Sequence, residues 1–281
     1  MKTCLAMLLT SALLFAAACG GGGGGDGGEA NGEDPIPLLV GPVHYAELKV
    51  RSQGDMLTEA GPAQVDADGV LTGEVAFYRE QPAPPEPLSP TRLVVDATDG
   101  AVDNFDAQST LFRLGGLGAG GHVTALTARD GDPRMLLLTR PSAGLDASAV
   151  QGRHHLVLFY PSDAISLWGR VDFDGQGTGE SPNLLVDFNR EGEQFIAALN
   201  TVTYDVQPDG ALRMVLHPDD LRDNTFDGAI AGAGRLLTGT RVDDEDVQRP
   251  SVVAVVRAPA AASNATFDGR YWMTAFFARS G

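Results

Sequence analysis

The sequence predicts an all-β fold, an antiparallel meander built from two tandem units. Three observations carry this. Short apolar and β-branched runs recur every dozen residues or so, separated by Gly, Asp and Pro turn signals. Segments repeat in the same order along the chain. After Pro35 no stretch keeps a helical period over three turns, apart from one turn near Pro218 to Leu221.

The first element is an export signal. Lys2 precedes an uncharged run from Leu5 to Ala18, which is shorter than the ~20 residues needed to span a bilayer and has the size of a signal-peptide core. Residues 1–18 are assigned to it. Ala16, Ala17, Ala18 and Cys19 resemble a lipobox, in which Cys19 is diacylated and becomes the mature N-terminus, although Ala16 stands where the family carries Leu. The alternative is an ordinary small-residue cleavage site with Cys19 as a bystander; both cut after Ala18. The glycine run Gly20 to Gly25 and the polar residues after it hold no apolar surface to bury, so residues 19–36 form a lipidated Cys and a flexible tether. By resemblance to lipoprotein sorting, Gly20 rather than Asp after Cys19 points to the outer membrane.

The folded part divides into residues 37–150 and 151–281. Val65, Asp66, Asp68, Gly69, Thr72, Gly73 and Glu74 reappear as Val171, Asp172, Asp174, Gly175, Thr178, Gly179 and Glu180. Pro133 to Tyr160 aligns without gaps onto Pro250 to Phe277, and Gly118 to Gly120 matches Gly232 to Gly234, a period of about 110 residues that suggests whole domains rather than solenoid repeats. In the second copy the expected strands are 154–160, 166–173, 183–188, 199–206, 211–216, 228–232, 236–242 and 251–256. Tyr204 to Val206 and Leu212 to Met214 alternate in period two around the turn at Pro208 to Gly210 and read as a hairpin. An opening strand occurs three times, at 43–50, 153–160 and 270–277; the last copy is expected to close the second unit or pair back on the first, leaving no exposed edge.

These strands and hairpins, taken in order, resemble repeats in bacterial surface proteins with lipocalin-like, eight-stranded β modules, over most of residues 38–281. The resemblance implies two tandem lipocalin-like barrel units, with one large closed barrel as the alternative, and specifies no ligand. A true lipocalin Gly-x-Trp start is absent, the copies reading Gly152 to His154 and Gly269 to Tyr271.

Net charge is −17, and −18 without Lys2. This acidity opposes nucleic-acid backbones and excludes that class of partner. Lys49 is the only lysine beyond the leader. Cys4 leaves with the signal and Cys19 is the acylation candidate, so the fold holds no disulfide, thiolate metal site or Cys nucleophile.

Among candidate sites, Asp172, Asp174 and Glu180, mirrored by Asp66, Asp68 and Glu74, supply the oxygens calcium requires. The fixed spacing of an EF-hand is missing, and the same residues describe a plain Asp-Gly hairpin, which is the preferred reading. The acidic run Asp243 to Asp246 reads as a solvated hairpin tip, with a loose cation site as the alternative. Gly116 to Gly121 matches a dinucleotide fingerprint in letters, but a strand rather than a helix follows it. His154 and His155 are neighbours on a strand and point to opposite faces; His44 and Tyr271 align with His154 as an aromatic slot. Trp168 and Trp272 suit either part of a ligand or sugar platform or, as the preferred reading, rim or core aromatics. No nucleophile–base or phosphate-loop motif is present.

The function expected is therefore a surface-anchored, non-catalytic binding or structural module without a cofactor. Its partners are the membrane through the lipid and either a surface protein or a small apolar ligand. The alternative is a lipocalin-like carrier, for which Leu136, Leu138, Val253, Val255 and Phe276 suggest a filled interior. An enzyme without a recognisable motif is the third class.

Overall fold

The computed structural model describes residues 40–50, 56–79, 81–82, 84–95, 101–105, 113–118, 122–128, 134–160, 165–188, 193–218, 223–242 and 251–259. They form two closed antiparallel barrels in tandem, each a ring of eight strands. The first contains β1 (Gly41–Val50), β2 (Met56–Val65), β3 (Val70–Arg79), β6 (Thr91–Val95), β7 (Ala101–Phe105), β8 (Arg113–Gly118), β9 (Val123–Ala128) and β10 (Arg134–Thr139). Two-residue strands β4 (Gln81–Pro82) and β5 (Glu86–Pro87) lie on β3 outside the ring. β3 pairs with β2 and β6, and β10 returns to β1, so the ring has no open edge.

The second barrel runs β11 (Gly152–Tyr160), β12 (Ile165–Phe173), β13 (Thr178–Phe188), β14 (Glu193–Val206), β15 (Ala211–Pro218), β16 (Asn224–Ala231), β17 (Leu236–Arg241) and β18 (Val252–Arg257). All eight strands expected from the sequence are present. β18 pairs with β11 and completes this ring, so both neighbours of the opening strand are already occupied. The third copy of that strand, 270–277, with Tyr271, Trp272 and Phe276, lies outside the described residues. Register shifts at Gly179, Ser181 and Leu199 mark bulges in β13 and β14, which add local bend and twist to the two longest strands.

The turns explain why the repeated Asp-Gly sequences occur. Asp66 Oδ1 accepts from the amides of Asp68 (2.9 Å) and Val70 (2.8 Å), and Asp174 Oδ1 accepts from Gln176 (2.7 Å) and Thr178 (3.0 Å). Gly69 and Gly177, at φ +78° and +104°, then turn the chain through a region that side chains disfavour. The structural counterpart of Asp66 is thus Asp174. The sequence match of Asp66 with Asp172 is slipped by two residues, which keeps every side chain on the same face and so leaves the alternation undisturbed.

The barrels pack side by side through an apolar seam. Ala46 and Leu48 of β1 and Met135 and Leu137 of β10 project outward from the first barrel and meet Phe159 of β11 and Val252 of β18. Val123 joins Ala231 and Leu236 in a smaller contact. Thr139 and Thr238 share a buried hydrogen bond of 2.6 Å across the seam. The linker follows the second barrel closely, the amides of Ser142 and Gly144 donating to the carbonyls of Ile230 (2.8 Å) and Pro208 (2.7 Å). β1 and β10 are consequently buried on both faces.

Candidate functional site

Strand register fixes which side chains enter each barrel. In the second, Leu156, Leu158, Tyr160, Val171, Phe173, Val202, Met214, Phe226, Leu237, Val253 and Val255 fill the interior. Val150, from the 3-10 turn Ala147–Val150, is part of the same core. The polar groups at this end are satisfied: Tyr204 Oη donates to the carbonyl of Ala147 (3.1 Å), and His154 Nδ1 lies 3.1 Å from the carbonyl of Gly152. Burial holds His154 below the usual imidazole range, and its ring meets Phe173 edge-on at 5.1 Å. Leu237, Val253 and Val255 thus serve a packed core, as the sequence suggested for Val253 and Val255.

The first barrel has the same apolar wall over part of its length, from Val43, Ala63, Val65, Leu71, Val75, Leu126, Leu136 and Leu138. Further along β1 the inner face changes character. Tyr45, Glu47 and Lys49 follow at alternate positions, and Glu59 of β2 lies opposite Glu47. Tyr45 Oη donates to Glu47, and the Lys49 ammonium donates to Glu59 and lies 3.2 Å from Glu47 Oε2. The Glu47 side chain is 0% exposed and that of Glu59 5%, against 17% for Lys49, which is the most exposed of the three. Arg134 faces Lys49 across β10, and its buried Nε has no hydrogen-bond partner among the described residues. Thr124 Oγ1, on the inner face of β9, is likewise buried without a partner.

The second barrel acts as an internal control. Gly41 and Gly152 open equivalent strands, at φ +119° and +106°, and Tyr45 opposes Leu138 as Leu156 opposes Val255. Counted from there, Tyr45, Glu47 and Lys49 occupy the positions of Leu156, Leu158 and Tyr160. Glu59 takes that of Leu167, and Thr124 that of Leu237. The fold at these positions accepts apolar or aromatic side chains in one copy and carries buried charge in the other.

The residues singled out by sequence lie elsewhere. Asp172 forms ion pairs with Arg153 (3.0 Å) and Arg170 (3.1 Å) on the outer face of the second barrel. Asp174 serves its turn, where bonds from Thr178 and Gln176 hold its carboxyl below the usual carboxylate range. Asp66 serves the equivalent turn, and Asp68, Glu74 and Glu180 are exposed. Among the described residues no group of three His, Cys, Asp or Glu is arranged to hold a metal. Gly116 and Gly118 belong to β8, which pairs with β9. Trp168 is on the outer face of β12 and 49% exposed. His44 corresponds to His155 rather than to His154, so the aromatic slot is not shared: one faces the seam side and the other the barrel interior. Cys19, the tether and Asp243 to Asp246 lie outside the described residues. The signal that marks the new cluster is compositional, the lone Lys49 between two glutamates in register.

No protein-family model matches the chain, and no curated sequence is similar to it. Among solved structures it is similar to kievitone hydratase from Nectria haematococca, at 7% identity over 80% of this chain and 91% of that one, with a TM-score of 0.27. It is similar to the isotype 1 transferrin binding protein B of serogroup B Neisseria meningitidis at 11% identity, covering 76% of this chain and 43% of that one, with a TM-score of 0.34. A putative AttH from Nitrosomonas europaea gives 8% identity, 82% and 97% coverage and a TM-score of 0.26.

Proposed function

We propose that this chain is a lipid-anchored envelope protein whose first barrel holds a small ligand bearing a polar group, while the second barrel is a packed support. The observation that carries it is the exchange of Leu158, Tyr160, Leu167 and Leu237 for Glu47, Lys49, Glu59 and Thr124 within one duplicated fold. Buried charge is unfavourable unless paired and is not required by this architecture, and ionisable clusters inside a barrel concentrate at binding and catalytic sites. The apolar wall of Val43, Leu126, Leu136 and Leu138 gives the same interior a hydrophobic lining, as small-molecule sites have. A filled second barrel does not favour a carrier with two ligands.

Anchoring through Cys19 and the glycine tether accounts for an otherwise water-facing protein. On the second barrel, Arg153, Arg170, Asp172, Arg213 and Asp227 form ion pairs on the outer surface, the reverse of a barrel that faces lipid. No helix among the described residues is long and apolar enough to cross a membrane. Binding is read as non-catalytic and free of any cofactor, and the outer membrane is the expected site. Contact with another surface protein is a second reading, supported by the exposed ring of Trp168.

Native mass spectrometry of the full chain, released from the envelope in mild detergent, tests the proposal. The wild-type protein is expected to carry organic mass beyond polypeptide and lipid, and a Tyr45→Phe, Glu47→Leu, Lys49→Met, Glu59→Leu variant to lose it. Equal masses, after allowance for the substitutions, would overturn the reading.

A further inference from the structure

Lys49 is chemically singular in this chain. Of 20 lysines and arginines, every one except Lys2 and Lys49 is arginine, including Arg134 directly across the sheet. A side chain whose sole task was to bridge two carboxylates would be served better by arginine, which is always charged and offers a planar, two-pronged set of donors. Lysine differs in two respects: it can surrender its proton, and its amine then adds to a carbonyl carbon.

The surroundings suit that chemistry. The Lys49 side chain is more exposed than those of Glu47 and Glu59. Glu47 and Glu59 both reach it, so one can accept the proton while the other keeps the site's charge balanced. Tyr45 Oη holds the Glu47 carboxylate in place. Leu57, Leu126 and Leu136 line the same or adjacent levels of the barrel and favour an apolar body on the ligand.

We propose that Lys49 captures a small aldehyde or ketone as an iminium, with Glu47 and Glu59 as its proton acceptor and counter-ion. This rests on the binding reading above and names the class of its ligand. The ammonium gives a proton to a glutamate, and the free amine attacks the carbonyl carbon. A C–N bond forms as the C=O π bond breaks, giving a carbinolamine. The proton returns to the hydroxyl, the C–O bond breaks and water leaves. Ammonium plus carbonyl becomes iminium plus water; nothing is oxidised or reduced. The starting ammonium and the final iminium each carry one positive charge, so the two carboxylates that hold the first also hold the second.

The test is reductive trapping on the full chain with hexanal and sodium cyanoborohydride, read by intact mass and peptide mapping. An adduct at Lys49 is expected to form at least about tenfold faster than on a free lysine amide at the same pH, as for an oriented amine. Glu47→Gln and Glu59→Gln should each slow it, and Lys49→Arg should abolish it while the protein stays folded. Labelling at Lys49 no faster than the free amine, or insensitive to both glutamates, would overturn the proposal. Cargo retained in native mass spectra without trapping removes the iminium alone; loss of both removes the binding reading with it.

Discussion

Substituting Lys49 by methionine takes away the cation shared by two buried carboxylates. Glu47 and Glu59 are register partners, so the two carboxylates would face each other without the ammonium that bridges them. Breaking a buried pair in this way costs about 3–5 kcal/mol. In a folded unit of this size each kcal/mol moves the melting temperature by about 2–4 °C, so Lys49→Met should lower it by about 6–20 °C. The Lys49 side chain is partly exposed, which places the expectation toward the lower end. Replacing the whole cluster should do the opposite. Tyr45→Phe, Glu47→Leu, Lys49→Met and Glu59→Leu together install an interior like that of the second barrel apart from Arg134, with phenylalanine removing a hydroxyl that would lose its acceptor. Exchanging a buried ionic group for packed apolar side chains is neutral or stabilising by about 1–4 kcal/mol, an unchanged or raised melting temperature. Differential scanning calorimetry at neutral pH measures both. A fourfold variant that melts as low as Lys49→Met would show that the charges hold the barrel together, and would remove the reason for assigning them a ligand.

Three further outcomes are expected. Phe159→Ala, which empties a buried position in the seam, should cost about 3–5 kcal/mol and lower the melting temperature of the full chain in the same assay. Burial lowers His44 from the ordinary imidazole value of 6.5 to about 4, so the unfolded chain binds the extra proton between those values. Stability should therefore be complete above pH 6.5 and fall as pH drops toward 4, by up to about 3 kcal/mol, and His44→Phe should flatten that slope in urea titrations across the window. Asp66 and Asp174 already accept backbone amides, so EDTA should leave the melting temperature unchanged. The Asp174 carboxyl lies below its ordinary value, so its contribution should be present above that value and lost only in stronger acid, a loss that Asp174→Asn removes from acid-unfolding curves.

The architecture was legible because strand alternation and turn chemistry are local. Asp-Gly turns and the hairpin at Pro208 to Gly210 announce themselves within a few residues, and duplication shows each unit twice. The candidate site was not, because alternation reports two faces without saying which is inside. On β1, Ala46 and Leu48 alternate with Glu47 and Lys49 and suggest a strand with its apolar side inward and its charges in water. The arrangement is inverted: the apolar side chains face the other barrel and the charged ones face the interior. Only the neighbour's position resolves this, and no local pattern encodes it. The two-residue slip between Asp66 and Asp172 escaped for a related reason, since a shift of two preserves the facing of every residue.

The seam also bears on how the duplicated copies diverged. A solitary barrel has one apolar surface to bury, its interior, and charges placed there subtract directly from the force that folds it. Here β1 and β10 contribute a second buried surface, with Leu48, Met135 and Leu137 covered by Phe159 and Val252. The seam thus gives the first barrel a source of cohesion outside its interior, which offsets the cost of the charges placed there. An isolated first barrel should then be the less stable half, dependent on its sibling in trans, and specialisation inside it could proceed only after the two copies had come to lean on each other.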